Sequence, residues 1–72
     1  MEERRVLLFR NIHVVIQAEK TILEKGYWYQ IIPVPSNISS ECGMCIQIKT
    51  NDYKFVKHLL EAKGITHSSE II

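Results

Sequence analysis

The sequence lacks several features that would place a protein in a specialised class. Its 72 residues carry nine Lys and Arg against eight Asp and Glu, so the net charge is +1 and no basic cluster stands out. That balance gives no electrostatic case for binding nucleic acid. No apolar run approaches the ~20 residues of a membrane-spanning helix, and the N-terminal segment lacks the apolar core of a signal peptide. We therefore predict a cytoplasmic protein without nucleic-acid or membrane partners.

Cysteine is also scarce, since only Cys42 and Cys45 occur, three positions apart. A disulfide between them would close a very small ring and add little stability. In a cytoplasmic chain such a pair is more often catalytic or metal-binding. Together with His13 the pair offers three metal ligands, whereas a structural zinc site usually takes about four. We predict neither a metal nor a cofactor, and a metal-binding Cys-x-x-Cys protein stays an alternative.

The spacing of apolar residues predicts six elements in the order β-α-β-β-α-β. Helical periodicity covers residues 12–25 and 52–63, with Asn11 as the first N-cap and Asn51 or Asp52 as the second. Pro33 and Pro35 cannot donate to a sheet ladder, which places the end of the second strand at a sheet edge. The predicted strands span residues 5–9, 27–34, 44–49 and 65–72.

This order is typical of a ferredoxin-like split βαβ fold in the α+β class, and the length allows one domain over residues 1–72. Right-handed crossovers then predict an antiparallel sheet of order 4-1-3-2 with both helices on one face. The other face of the sheet would be left open. An exposed apolar sheet face is unusual for a monomer, so we also predict a homodimer.

The predicted topology puts the loop that carries Cys42 beside the start of the first helix, near residues 10–13. A helix N-terminus presents unpaired N–H groups and about half a positive charge, and both favour a thiolate. A positive charge on Arg10 or His13 would favour it as well, and Glu41 would oppose it. Cys45 lies inside the third strand, on the opposite face from Ile46 and Ile48, so it should react more slowly.

Two other interpretations of the thiols stay open at this point. A redox pair of the thioredoxin type is one, although that motif belongs at the start of a helix and here it opens a strand. The other is a non-enzymatic interaction module in which both cysteines only fill space, as cysteines outside disulfides often do. In that case the chain would act through pairing of sheet faces or edges.

The run Ile32-Pro33-Val34-Pro35, followed by Ile38-Ser39 and by Cys42-Gly43, resembles the selenium/sulfur carrier protein-like family, and the resemblance covers nearly the whole chain. It implies that Cys42 carries sulfur or selenium, as a persulfide or selenopersulfide, between donor and acceptor proteins. Such a protein would be a carrier rather than a stand-alone enzyme.

The resemblance also sets the roles expected of two further residues. Gly43 would let the backbone come close to a partner and leave the sulfur unobstructed. Cys45 departs from the family pattern, in which an aliphatic or small residue is commoner. A second thiol could attack the persulfide and release sulfide, so Cys45 is a secondary site residue.

Overall fold

The computed structural model of the chain describes residues 3–38 and 42–72. Within them the chain forms four strands and two α-helices in the predicted order, with boundaries within three residues of the predicted ones. The elements are β1 Arg4–Leu8, α1 Ile12–Glu24, β2 Tyr29–Pro33, β3 Met44–Lys49, α2 Tyr53–Ala62 and β4 Ser68–Ile71. None of the helices in this part of the chain is long and apolar enough to span a membrane.

The strands form one antiparallel sheet in the order β2-β3-β1-β4. Read from the other edge, this is the predicted order 4-1-3-2, and the α+β class is confirmed. Strand β1 lies inside the sheet, where Leu8 pairs with Cys45 of β3 and Arg5 pairs with Ile71 of β4. Strand β2 is an edge strand, as Pro33 at its end indicated.

Both helices pack on one face of the sheet, here called the helix face. Alternation along the strands directs Leu7, Ile46 and Ile48 to this side, where they meet apolar residues of α1 and α2. This arrangement confirms the prediction that both helices share one face. The buried helix-face core consists of Leu7, Phe9, Val15, Ala18, Ile22, Ile46, Ile48, Val56, Leu60 and Ile65.

The second face of the sheet is covered, and here the sequence-based expectation is wrong. Val6, Leu8 and Cys45 point to this face and are only 0%, 9% and 0% exposed. They pack against the half-buried side chains of Ile32, Val34 and Ile38. The covering segment, residues 34–38, contains a turn in which the N–H of Ile38 donates to the carbonyl of Pro35 at 2.9 Å.

This cover removes the main argument for a homodimer. The apolar side chains that were expected to need solvent or a second subunit are buried within one chain, because the segment after β2 folds back over them. The homodimer therefore stays a prediction, without that support.

The two helices begin differently. Asn11 caps α1 as predicted, since its Oδ1 accepts the N–H of Val14 at 3.0 Å. The predicted side-chain cap on α2 is wrong: Asp52 has helical backbone angles and makes no side-chain capping bond. The reason is the 3-10 turn Thr50–Asp52, which runs directly into α2.

Candidate functional site

Cys42 lies at the end of the sheet where α1 begins. Leu8 at the end of β1 pairs with Cys45, and α1 starts four residues after Leu8, at Ile12. The first residues of β3 and the first turn of α1 therefore share one end of the sheet. Cys42 precedes β3 by two residues and packs, half-buried, against the helix-face core. Its side chain is thus on the same side of the sheet as the helices.

Gly43 shapes the backbone next to this thiol. Its φ of +81° lies in the left-handed region, where glycine carries no steric penalty. The carbonyl of Gly43 accepts the N–H of Val34 at 3.0 Å, which extends the β2–β3 ladder by one pair beyond Pro33 and Met44. Apart from its two chain neighbours, no heavy atom of residues 3–38 and 42–72 lies within 4 Å of the place where a Cβ would stand. The ladder therefore anchors Gly43, and the space beside it is open.

Cys45 occupies the opposite environment. It is 0% exposed on the second face, flanked across the strands by Leu8 and Ile32. Its Sγ lies 4.0 Å from the carbonyl oxygen of Pro33, at the outer limit of a weak S–H bond. Burial raises the pKa of the Cys45 thiol, and a smaller electrostatic contribution from Cys42 raises it further. Cys45 is therefore a protonated, inaccessible thiol at neutral pH.

The two thiols face opposite sides of the sheet. Cys42 packs on the helix-face core. Cys45 belongs to the second-face cluster, on the side that the alternation around Ile46 and Ile48 predicted for it. They are not joined by a disulfide. Cysteines whose Cβ vectors diverge cannot be bridged without movement of the backbone. This geometry argues against a redox pair.

The structure describes most, but not all, of the residues expected to influence the Cys42 thiol. Arg10 and His13 are exposed at the end of the sheet where α1 begins, and Asn11 acts as the helix cap. Glu41, expected to oppose the thiolate, lies outside the described residues. Among the side chains of residues 3–38 and 42–72, no three His, Cys, Asp or Glu come close enough to hold a metal ion. The combination of both cysteines with His13 is therefore not assembled.

A groove that the sequence did not indicate lies on the other side of the turn between β1 and α1. Its volume is about 660 Å³, with Phe9 and Ile65 among its apolar walls and Arg10 and His67 among its polar ones. The Nε2 of His67 lies 3.3 Å from the hydroxyl of Tyr53. Burial lowers the pKa of His67, and a smaller opposing contribution comes from a backbone hydrogen bond at Ile65.

A comparison with protein families bears directly on the Cys42 loop. Residues 4–70 match the family model described as "Putative Se/S carrier protein-like". The chain belongs to this family. The match confirms the resemblance drawn from the Pro-x-Pro and Cys-Gly motifs, and the Se/S carrier family name supports a carrier that exchanges its cargo with donor and acceptor partners. No curated protein and no solved structure matches the chain.

Proposed function

We propose that this protein carries sulfur or selenium on Cys42, as a persulfide or selenopersulfide, and transfers it from a donor protein to an acceptor protein. Family membership supports the class of cargo. The position of Cys42 supports this choice of residue: it is a half-buried thiol at the end of the sheet, and the next residue, Gly43, is exposed. In the proposed transfer, a partner approaches the sulfur from the side of Gly43.

The observation that carries the proposal is the separation of the two thiols by the sheet. If Cys45 could reach a persulfide on Cys42, it would attack Sγ, release sulfide and leave a disulfide. Cys45 faces the other side, is fully buried and has a raised pKa. A thiol that is protonated and buried is a poor nucleophile. Cys45 would thus not release the sulfur from Cys42 before an acceptor protein binds.

The transfer itself needs no oxidant. The Cys42 thiolate attacks the terminal sulfur of the donor persulfide, so that a new bond forms between Cys42 Sγ and that sulfur. The sulfur–sulfur bond of the donor breaks, and the donor cysteine leaves as a thiolate with the electron pair. The transferred sulfur keeps its proton. Unloading is the same reaction with the acceptor as the attacking thiolate, and a selenium atom would follow the same course.

Intact mass spectrometry under non-reducing conditions tests the proposal. The wild type, Cys42→Ser and Cys45→Ala are each treated with cysteine persulfide. Alanine is chosen at position 45 because a buried serine hydroxyl would be costly without a hydrogen-bond partner. Wild type and Cys45→Ala should gain the mass of one sulfur atom, whereas Cys42→Ser should gain none.

The other outcomes separate the alternatives. Equal loading of Cys42→Ser and wild type would exclude Cys42 as the carrier residue. No loading of any variant would favour an interaction module with incidental thiols. Loss of two hydrogens from the wild type would instead indicate a redox pair.

A further inference from the structure

Helix α1 carries an exposed apolar stripe along one flank. Ile12, Ile16 and Leu23 are 46%, 43% and 62% exposed and are four and seven residues apart in turn, a spacing that places them on one side of a helix. Glu19 shares this flank, and its Oε2 accepts the hydroxyl of Tyr29 at 2.9 Å. Because Tyr29 belongs to β2, the flank faces the β2 edge of the sheet.

The stripe begins at the end of the molecule that carries Cys42. Ile12 and Ile16 lie in the first turns of α1, which share that end of the sheet with the start of β3. Strand β2, which the flank faces, is the neighbour of β3. From Ile12 to Leu23 the stripe extends about 16 Å along the helix, at a rise of about 1.5 Å per residue. The Ile12 end of the stripe thus lies at the same end of the helix face as Cys42, and Leu23 lies at the other end of α1.

We infer that this stripe, Ile12, Ile16 and Leu23, is the surface on which a persulfide-bearing donor protein docks while it loads Cys42. The inference rests on the proposed carrier function. Transfer brings the donor's sulfur into contact with Cys42 Sγ, so a donor must cover the surface that surrounds this thiol. The stripe is an exposed apolar surface that starts at the same end of the sheet as that thiol.

The size of the stripe favours a transient donor over a second copy of this chain. Three half-exposed aliphatic side chains offer on the order of 300 Å² of apolar surface, as the largest patch on many monomers does. A stable interface buries roughly 800 Å² on each partner. A carrier must also release its donor before an acceptor can reach the same sulfur. A small contact that dissociates quickly meets that requirement.

The test compares loading by a protein with loading by a small molecule. The protein donor is a cysteine desulfurase supplied with L-cysteine, and the small donor is cysteine persulfide. The variant is Ile16→Glu, and its matched control is Gln17→Glu, which adds the same carboxylate one position along on a different flank of α1. Rates of sulfur gain are followed by intact mass, and circular dichroism checks that both variants fold.

Ile16→Glu should slow loading by the desulfurase by about tenfold or more, because a charge in an apolar contact must lose its water. Loading by cysteine persulfide should change by less than about twofold, and Gln17→Glu should change neither rate by more than that.

Three results would overturn the docking inference while leaving the carrier function in place. One is a normal desulfurase rate for Ile16→Glu. Another is a wild type that cysteine persulfide loads and the desulfurase does not. The third is light scattering that shows a wild-type dimer and a monomeric Ile16→Glu, which would assign the stripe to a second copy. Failure of Cys42 to load from cysteine persulfide would refute the carrier function itself.

Discussion

The two faces of the sheet are built in different ways, and each holds one of the two cysteines. Within the part of the chain that the structure describes, two helices cover the helix face, where ten residues form the buried core. In the same part of the chain, residues 34–38 cover the second face, where three residues are buried. Cys42 sits at the margin of the first face and Cys45 at the centre of the second. The same side chain thus has two environments, because Cys45 is a residue of β3 that points to the second face, whereas Cys42 precedes the strand and packs on the helix face.

The segment that covers the second face is short, yet its composition suits that task. Pro33 and Pro35 restrict the unfolded chain, so less conformational entropy is lost when the segment folds back. Val34 and Ile38 then supply the apolar surface that meets Val6, Leu8 and Cys45. We conclude that the Pro-x-Pro motif ends a strand and also helps to hold the covering segment in place over Cys45.

Truncation of two adjacent leucines should show the largest difference between the faces. Leu7 is 0% exposed beneath the helices, whereas Leu8 is 9% exposed beneath the covering segment. Leu7→Ala should lower the free energy of unfolding by about 4 kcal/mol and Leu8→Ala by about 2 kcal/mol, because the looser site can collapse into the space. Urea denaturation measures both. An equal or larger loss for Leu8→Ala would show that the second face is the more tightly packed one.

Alkylation of the two thiols should show the next largest difference. Iodoacetamide is applied to Cys45→Ala, which leaves Cys42, and to Cys42→Ser, which leaves Cys45. Cys42 should react roughly 100-fold faster in the native protein, because Cys45 is buried and its raised pKa keeps it protonated, so it reacts only after a local opening. In denaturing urea the two rates should become similar. Equal rates in the native protein would contradict the assignment of separate roles.

Loosening the cover should expose Cys45 without affecting Cys42. Ile38→Ala removes half-buried apolar surface from the segment and should cost about 1 kcal/mol. In the Cys42→Ser background it should raise the alkylation rate of Cys45 about fivefold, since each ~1.4 kcal/mol is a factor of ten. In the Cys45→Ala background the rate of Cys42 should not change.

The control for this variant is Ile31→Ala, which removes the same side chain from the helix side of β2. It should destabilise the protein to a similar extent but leave the rate of Cys45 unchanged. If Ile31→Ala raises the alkylation rate of Cys45 as much as Ile38→Ala does, Cys45 reacts through global unfolding. Local opening of the covering segment would then not control its reactivity.

Much of the fold follows from local patterns together with topological rules. Periodicity predicts the order of elements, the Asn11 cap at the start of the first helix, and the placement of Cys45 on the second face. The right-handed crossover predicts the sheet order. The cover over the second face follows from neither. Residues 34–38 contain only two apolar side chains among turn-forming residues, so the pattern is that of an ordinary loop. Its packing is decided by the uncovered surface of Val6 and Leu8, which lies far away in the sequence.

The sequence did not indicate how α2 begins or where the groove lies, because both depend on more than one segment of the chain. Asn51 and Asp52 are both good caps by residue type, but a preceding 3-10 turn already continues into the helix, so neither side chain is needed there. The groove beside β4 is formed where three separate segments meet, and no single segment signals it. The candidate site could be predicted because Cys42 and Gly43 lie in one contiguous motif.

The smallest expected effect concerns a titratable group on the helix face. His67 packs against Phe9 and Tyr53, and burial lowers its pKa below the ordinary value of 6.5. Below pH 6.5 the unfolded chain therefore binds a proton that the folded chain resists, so stability falls as the pH drops through this window towards the folded pKa. Urea midpoints at about pH 7.5 and about pH 5.5 should thus differ more for the wild type than for His67→Gln.

His58→Gln, at an exposed position of α2, is the control and should keep the wild-type difference. If His67→Gln kept the wild-type pH dependence, water would reach the His67 ring in the folded protein. The ring would then be packed less tightly than its contacts with Phe9 and Tyr53 indicate.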